Sequence, residues 1–171
     1  MKAVAIGVAA LLASIAQVTV APLFPVAGAT PEFVLLLLVL IAAFSGPSPV
    51  MVLTPIAAVA VGFLSDRAPG LLLVAYLPLL PLGFAIEESA VPVNHYLRTL
   101  AMMVMTGLWA RGLLALGAIA GGAEPAFGML VSDVLVPGFI LDAVLLSVVY
   151  IPMWLAGWSG QGMRLQRSRY Y

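Results

Sequence analysis

The chain has 171 residues, of which 64% are hydrophobic and 8% charged; a soluble domain carries roughly 25% charged residues, so a water-soluble globule is excluded. Seven basic and seven acidic residues balance to a formal net charge of zero, which excludes a broad basic surface for nucleic acid. With no cysteine and one histidine, neither a disulfide framework nor a thiolate or histidine-cluster metal site is available, and no metal or cofactor is expected.

In an apolar medium the backbone must satisfy its own polar groups within each segment, and the apolar stretches lack the alternation of a membrane barrel. The expected fold is therefore all-α. It is a polytopic integral membrane bundle of about six transmembrane helices, a single domain over residues 1–171 with a basic tail at 160–171.

The first span is predicted at about residues 3–21, after Lys2. Its apolar run exceeds the roughly 7 to 15 residues of a signal-peptide core, so it reads as an uncleaved span. Ala5, Ala9 and Ala13 recur every fourth residue and form a smooth face for another helix. That face is a candidate for packing a partner, with internal packing as its plainer use. The second span, about residues 32–44, follows Pro22, Pro25 and Pro31. Its core, FVLLLLVLIAAF, is short for a bilayer of about 30 Å at 1.5 Å per residue, so it either begins earlier, near Val26, or crosses only part of the membrane. Gly46, Pro47, Ser48 and Pro49 then reverse the chain.

The third span, about residues 50–64, contains Pro55 and runs into AAVAVGFLSDRAPG at residues 57–70. An apolar helix that stops on Gly, Ser, Asp, Arg and Pro is leaving a hydrophobic medium, because these residues cap helices and turn the chain. Gly62, Asp66, Arg67 and Gly70 are read as the rim of a helical hairpin: Gly62 permits close packing, Asp66 and Arg67 solvate or cap, and Pro69 with Gly70 turns the chain back. The fourth span, about residues 70–86, carries Pro78 and Pro81. Each removes a helical hydrogen bond and favours a kink, which is tolerated where neighbouring helices cover the freed carbonyls. The loop EESAVPVNHY at 87–96 is the most polar connection, and His95 is expected to be a solvated residue of it.

The fifth span, about residues 97–121, has Arg98 at its start and Arg111 inside it. The sixth, about 133–158, has Asp142 inside it and Pro137 and Pro152 toward its ends, and EPAFGMLVS at 124–132 suits the interface between them. Arg164, Arg167 and Arg169 read as lipid-headgroup contacts worth about 1 kcal/mol each, or as a dock for a cytoplasmic protein. With six spans and a cytoplasmic amino terminus, Lys2, Arg98, Arg164, Arg167 and Arg169 fall inside and Arg67 outside, so the positive-inside rule puts both termini in the cytoplasm. The rim, Glu32, Glu124 and Asp133 then face outward, and Tyr150, Trp154, Trp158, Tyr170 and Tyr171 suit an inner aromatic belt.

A charge at the centre of a membrane helix costs about 2.5 to 3.5 kcal/mol even on insertion scales. Counting from Gly121 and Asp133, Arg111 and Asp142 lie roughly 14 to 15 Å below the outer face at 1.5 Å per residue. They are expected to pair inside the bundle, directly or through water. Such a pair serves either as a structural clamp or as part of a proton or ion relay; no third titratable group is evident at that depth, which favours the clamp.

The order of features, a Gly62-Phe63-Leu64-Ser65-Asp66 rim followed by Gly70 and a last span reading Val136-Pro137-Gly138-Phe139-Ile140-Leu141-Asp142-Ala143-Val144-Leu145-Leu146 with Tyr150-Ile151-Pro152 beyond, resembles the MreD family of bacterial rod-shape-determining membrane proteins. The similarity covers about residues 3–158. It implies a non-catalytic scaffold of the cell-elongation complex in the bacterial inner membrane. Such a subunit binds MreC directly and, through the complex, meets the class B penicillin-binding transpeptidase, RodA and MreB in side-wall peptidoglycan synthesis. The family's span architecture is similar to that of substrate-binding subunits of energy-coupling-factor vitamin transporters, which supply the alternative function. Where the family's last span commonly has Asn, this chain has Asp142, and an acid there needs a partner such as Arg111. An intramembrane enzyme would need a nucleophile or metal with a base at helical spacing, and no such pattern is present.

Overall fold

The computed structural model describes residues 2–25, 29–65, 67–88, 94–122, 132 and 135–156, and among these every regular element is helical. The helices are α1 (Lys2–Thr19), α2 (Phe33–Ser45), α3 (Pro47–Leu64), α4 (Pro69–Tyr76), α5 (Leu79–Glu88), α6 (His95–Ala120) and α7 (Val136–Leu155), with a short 3-10 turn at Ala21–Leu23 after α1. Among the described residues four stretches are long and apolar enough to cross a membrane: Ile6–Leu23, Pro47–Leu64, His95–Ala120 and Val136–Leu155. The second and fourth predicted spans correspond to shorter apolar helices.

The shortest apolar run forms the centre. α2 packs against α1, α3, α5, α6 and α7, and nine of its thirteen residues are buried. A helix that is hydrophobic all round belongs in the interior, and Val34, Leu35, Leu38 and Val39 are sealed from the surroundings on successive faces. At 1.5 Å per residue its thirteen residues span about 20 Å, and the helix starts at Phe33 rather than near Val26. Gly46, with φ 87°, makes the tight reversal into α3, and Pro47 opens that helix where its missing N–H is not needed.

The predicted fourth span is two helices. Pro78 lacks the N–H that would bond the Val74 carbonyl four residues earlier, and the chain breaks between Tyr76 and Leu79. The freed Val74 carbonyl accepts a hydrogen bond from Trp109 Nε1 on α6 at 3.1 Å, so the neighbouring helix closes the gap. The hairpin corner is also tighter than expected. A Cβ on Gly62 would stand 2.9 Å from Pro69 Cα, so only glycine lets α3 and α4 approach this closely. Gly70 is an exposed second residue of α4 with open space around its Cα, and the reversal is made earlier, before Pro69, which begins the helix. Asp66 lies outside the described residues.

Candidate functional site

Arg111 on α6 and Asp142 on α7 form a buried ion pair, Nη1 to Oδ2 at 2.5 Å, with 6% and 2% of each residue exposed. Antiparallel neighbours bring them to the same level, and glycine makes the room. Gly107 and Gly138 each stand four residues before the charged residue of their own helix, one turn away on the same face. A Cβ on Gly138 would come within 2.7 Å of Arg111 Cζ, and one on Gly107 within 3.2 Å of Asp142 Oδ2 and 3.3 Å of Arg111 Nη1. The two side chains therefore occupy volume that any larger residue at these positions would fill.

A third titratable residue is buried in the bundle. Glu32, expected at the outer surface, is 8% exposed and lies within electrostatic reach of both Arg111 and Asp142. Its side chain gives no cap to α2. That helix is capped from α1, where Gln17 accepts from the Val34 N–H at 3.4 Å and donates to the Pro31 carbonyl at 3.0 Å. Tyr76 of α4, 2% exposed, and Arg67, exposed at the hairpin corner, act on the same region, both coupling to Glu32. Among the described residues, four buried side-chain polar atoms make no hydrogen bond of normal geometry: Thr54 Oγ1, Thr106 Oγ1, Arg111 Nη2 and Asp142 Oδ1. Among the described residues no group of three His, Cys, Asp or Glu side chains is arranged to hold a metal ion.

A second polar junction sits at the other end of α6. His95 is its first residue, half-buried, and not part of a solvated loop. Its Nδ1 lies 2.7 Å from Tyr150 Oη and its Nε2 3.0 Å from the Ala43 carbonyl, with both Phe44 and Tyr150 against the ring. Tyr96 Oη meets Ser147 Oγ at 2.7 Å beside it. Tyr150 is 5% exposed, so it belongs to this junction and not to an interfacial belt: a phenol whose hydroxyl has an interior partner has no need of the interface. The junction ties α2, α6 and α7 together; Trp154 remains exposed at the end of α7.

On α1 the buried line runs through Ala10 and Ser14, with Ile6 and Ala13 packed against the core. Ala9 is partly covered, and the Ala5 side chain lies outside the described residues. The freely exposed face carries Val4, Val8, Leu11, Leu12 and Ile15. Arg164, Arg167 and Arg169 lie outside the described residues, as do Glu124, Asp133, Trp158, Tyr170 and Tyr171.

The sequence pointed to Arg111 and Asp142 because charges inside apolar runs stand out. Glu32 was missed because it sits at the edge of a run, where an acid beside a helix start ordinarily faces water. Gly107 and Gly138 carried a signal in their spacing, each four residues ahead of a charge. Compared with protein-family models, with curated proteins and with solved structures, the chain matches none.

Proposed function

We propose that this chain is a non-catalytic scaffold subunit of the bacterial cell-elongation complex, similar in role to MreD, with six membrane passes in the inner membrane and both termini in the cytoplasm. The four long helices and the two shorter apolar ones, α2 and the broken α4–α5 unit, supply the six passes. Both short passes sit beside longer neighbours, where a helix shorter than the bilayer is accommodated by local thinning.

The observation that carries the reading is that two glycines of the MreD-like motif, Gly62 and Gly138, are where helices of this bundle close on one another. Gly62 permits the hairpin contact with Pro69, and Gly138 makes room for Arg111, whose pairing with Asp142 supplies the partner that an acid needs where the family commonly has Asn. A motif whose positions serve packing, in a bundle with an exposed aliphatic face on its first helix, suits a subunit that works by holding partners. MreC is the direct partner in this reading, through the α1 face and the outer loops. The transpeptidase, RodA and MreB are reached through the complex, and Arg164, Arg167 and Arg169 meet anionic lipid.

Complementation tests this reading. In a rod-shaped bacterium depleted of its own MreD, expression of the chain restores rods and side-wall peptidoglycan incorporation; cells that stay round despite membrane-inserted protein would refute it. A second reading, the substrate-binding subunit of a vitamin transporter, is favoured by the buried polar atoms without partners, since such a subunit needs convergent hydrogen-bonding groups in its interior. Recovery of the chain with paired ATPase subunits and a bound vitamin would select that reading.

A further inference from the structure

The polar junction at the start of α6 holds the chain's one histidine. His95 Nε2 lies 3.0 Å from the Ala43 carbonyl and Nδ1 2.7 Å from Tyr150 Oη. A carbonyl only accepts, so Nε2 carries a hydrogen; in a neutral ring Nδ1 is then the acceptor, and the Tyr150 hydroxyl donates to it. Both ring nitrogens and the phenol are satisfied in this one arrangement. The ring thereby holds α2, near its carbonyl end, to α7 across the first residue of α6.

A second proton on the ring undoes that match. Nδ1 becomes a donor, and the Tyr150 hydroxyl has to give up its donor role; it makes no other hydrogen bond among the described residues, and Tyr150 is 5% exposed. Its neighbours are already engaged, because Ser147 Oγ donates to the Ala143 carbonyl at 2.6 Å and so accepts from Tyr96 Oη. The described surroundings offer the new charge no acid. α2 contributes Phe44 and the Ala43 carbonyl, and α7 contributes Tyr150. α6 itself adds Tyr96, Thr99, whose hydroxyl donates to the His95 carbonyl, and Arg98, a like charge one turn on. α5 also packs against α6 and ends in Glu87 and Glu88, whose side chains lie outside the described residues. The carbonyl end of α2 and the amide end of α6 meet at the ring, so their fields oppose. The Phe44 and Tyr150 centroids stand 5.9 and 6.0 Å away, at the outer limit of a cation–π contact, about 6 Å. The ring is half-buried, and a cation so placed gains more by turning to water than from two distant aromatic faces.

We propose that His95 is a proton-released latch. With the neutral ring in place α2 and α7 are clasped at this end of the bundle; when the Nδ1 lone pair takes a proton from water, the ring leaves Tyr150 and the two helix ends separate. The clasp acts just before α2 turns into α3 through Gly46, so its release loosens the central helix at that end. The latch depends on neither reading of the function; under the orientation proposed above, the protons it answers to are those of the cytoplasm.

The single histidine makes its ring nitrogens assignable in isotope-labelled protein, and the lack of native cysteine allows two spin labels. They are carried by Ser45→Cys at the exposed end of α2 and Ile151→Cys on the exposed side of α7. The full chain in lipid nanodiscs is taken from about pH 8 to about pH 5, across the ordinary imidazole value of about 6.5. Nitrogen NMR reports the ring, and electron-spin distance measurement reports the helix ends. At the upper end Nε2 carries the hydrogen and Nδ1 does not; as Nδ1 takes its proton, the label distance lengthens with the same midpoint. In His95→Gln, which keeps an N–H for Ala43 but does not titrate, the distance stays at its closed value throughout. A neutral ring protonated at Nδ1, a ring that stays neutral over the whole range, a charged ring with an unchanged distance, or the same lengthening in His95→Gln would overturn the latch. The measurements on the native histidine decide even if the His95→Gln variant fails to fold.

Discussion

Gly107 and Gly138 determine whether Arg111 and Asp142 can meet, since each leaves open the volume that the opposing helix's charge enters. A methyl on Gly138 meets the rigid, branched end of the guanidinium at 2.7 Å, so Gly138→Ala is expected to destabilise the bundle by about 1 to 3 kcal/mol, the usual range for overpacking. Gly107→Ala meets only side-chain ends at 3.2 Å or beyond, and its loss is expected to be smaller. Thermal unfolding in detergent, followed by size-exclusion of the fluorescently tagged protein, ranks the two. The ion pair itself gives a sharper contrast. Asp142→Ala leaves a buried guanidinium uncompensated, a loss on the order of 3 to 5 kcal/mol, and the folded yield falls. Changing both Arg111 and Asp142 to Leu removes the uncompensated charge and recovers most of that yield; a double variant no better than the single one would refute the pairing.

At the scale of elements, the break between α4 and α5 shows how a proline is accommodated in an apolar bundle. Pro78 withholds a donor from Val74, and Trp109 supplies one from α6. Trp109→Phe is expected to cost about 1 kcal/mol, the net worth of a hydrogen bond. Pro78→Ala in that background restores a backbone donor to Val74 and recovers part of the loss, so the two changes are non-additive in unfolding measurements. This element also shows where reading from sequence stops. Pro78 and Pro81 mark the break and the need for a donor, but only the packing of α6 beside α4 says that Trp109 meets it. Arg111 and Asp142 were legible because a charge within an apolar run has few places to go. Glu32 and His95 were not, because each lies at a helix start next to polar sequence, and burial there depends on which neighbours arrive: Gln17 takes over the α2 cap, and Tyr150 and Ala43 enclose the imidazole.

For the whole molecule, the arrangement is a central α2 enclosed by five helices, the Arg111–Asp142 pair toward the hairpin-corner end and the His95–Tyr150 junction at the other end of α6. The absence of native cysteine makes the topology directly testable. In intact cells Arg67→Cys is expected to react with a membrane-impermeant maleimide, while a cysteine in place of Ser168, in the basic tail, reacts only after lysis; the reverse pattern would invert the proposed orientation. The scaffold function rests on a physical association with MreC. Co-purification from mild detergent of the tagged chain with MreC co-expressed from the same cells therefore bears on it most directly. The account predicts a stable complex that is weakened when bulky residues replace Ala9 and Val8 on the α1 surface; a chain that elutes without MreC, or with paired ATPase subunits and a bound vitamin instead, would contradict it.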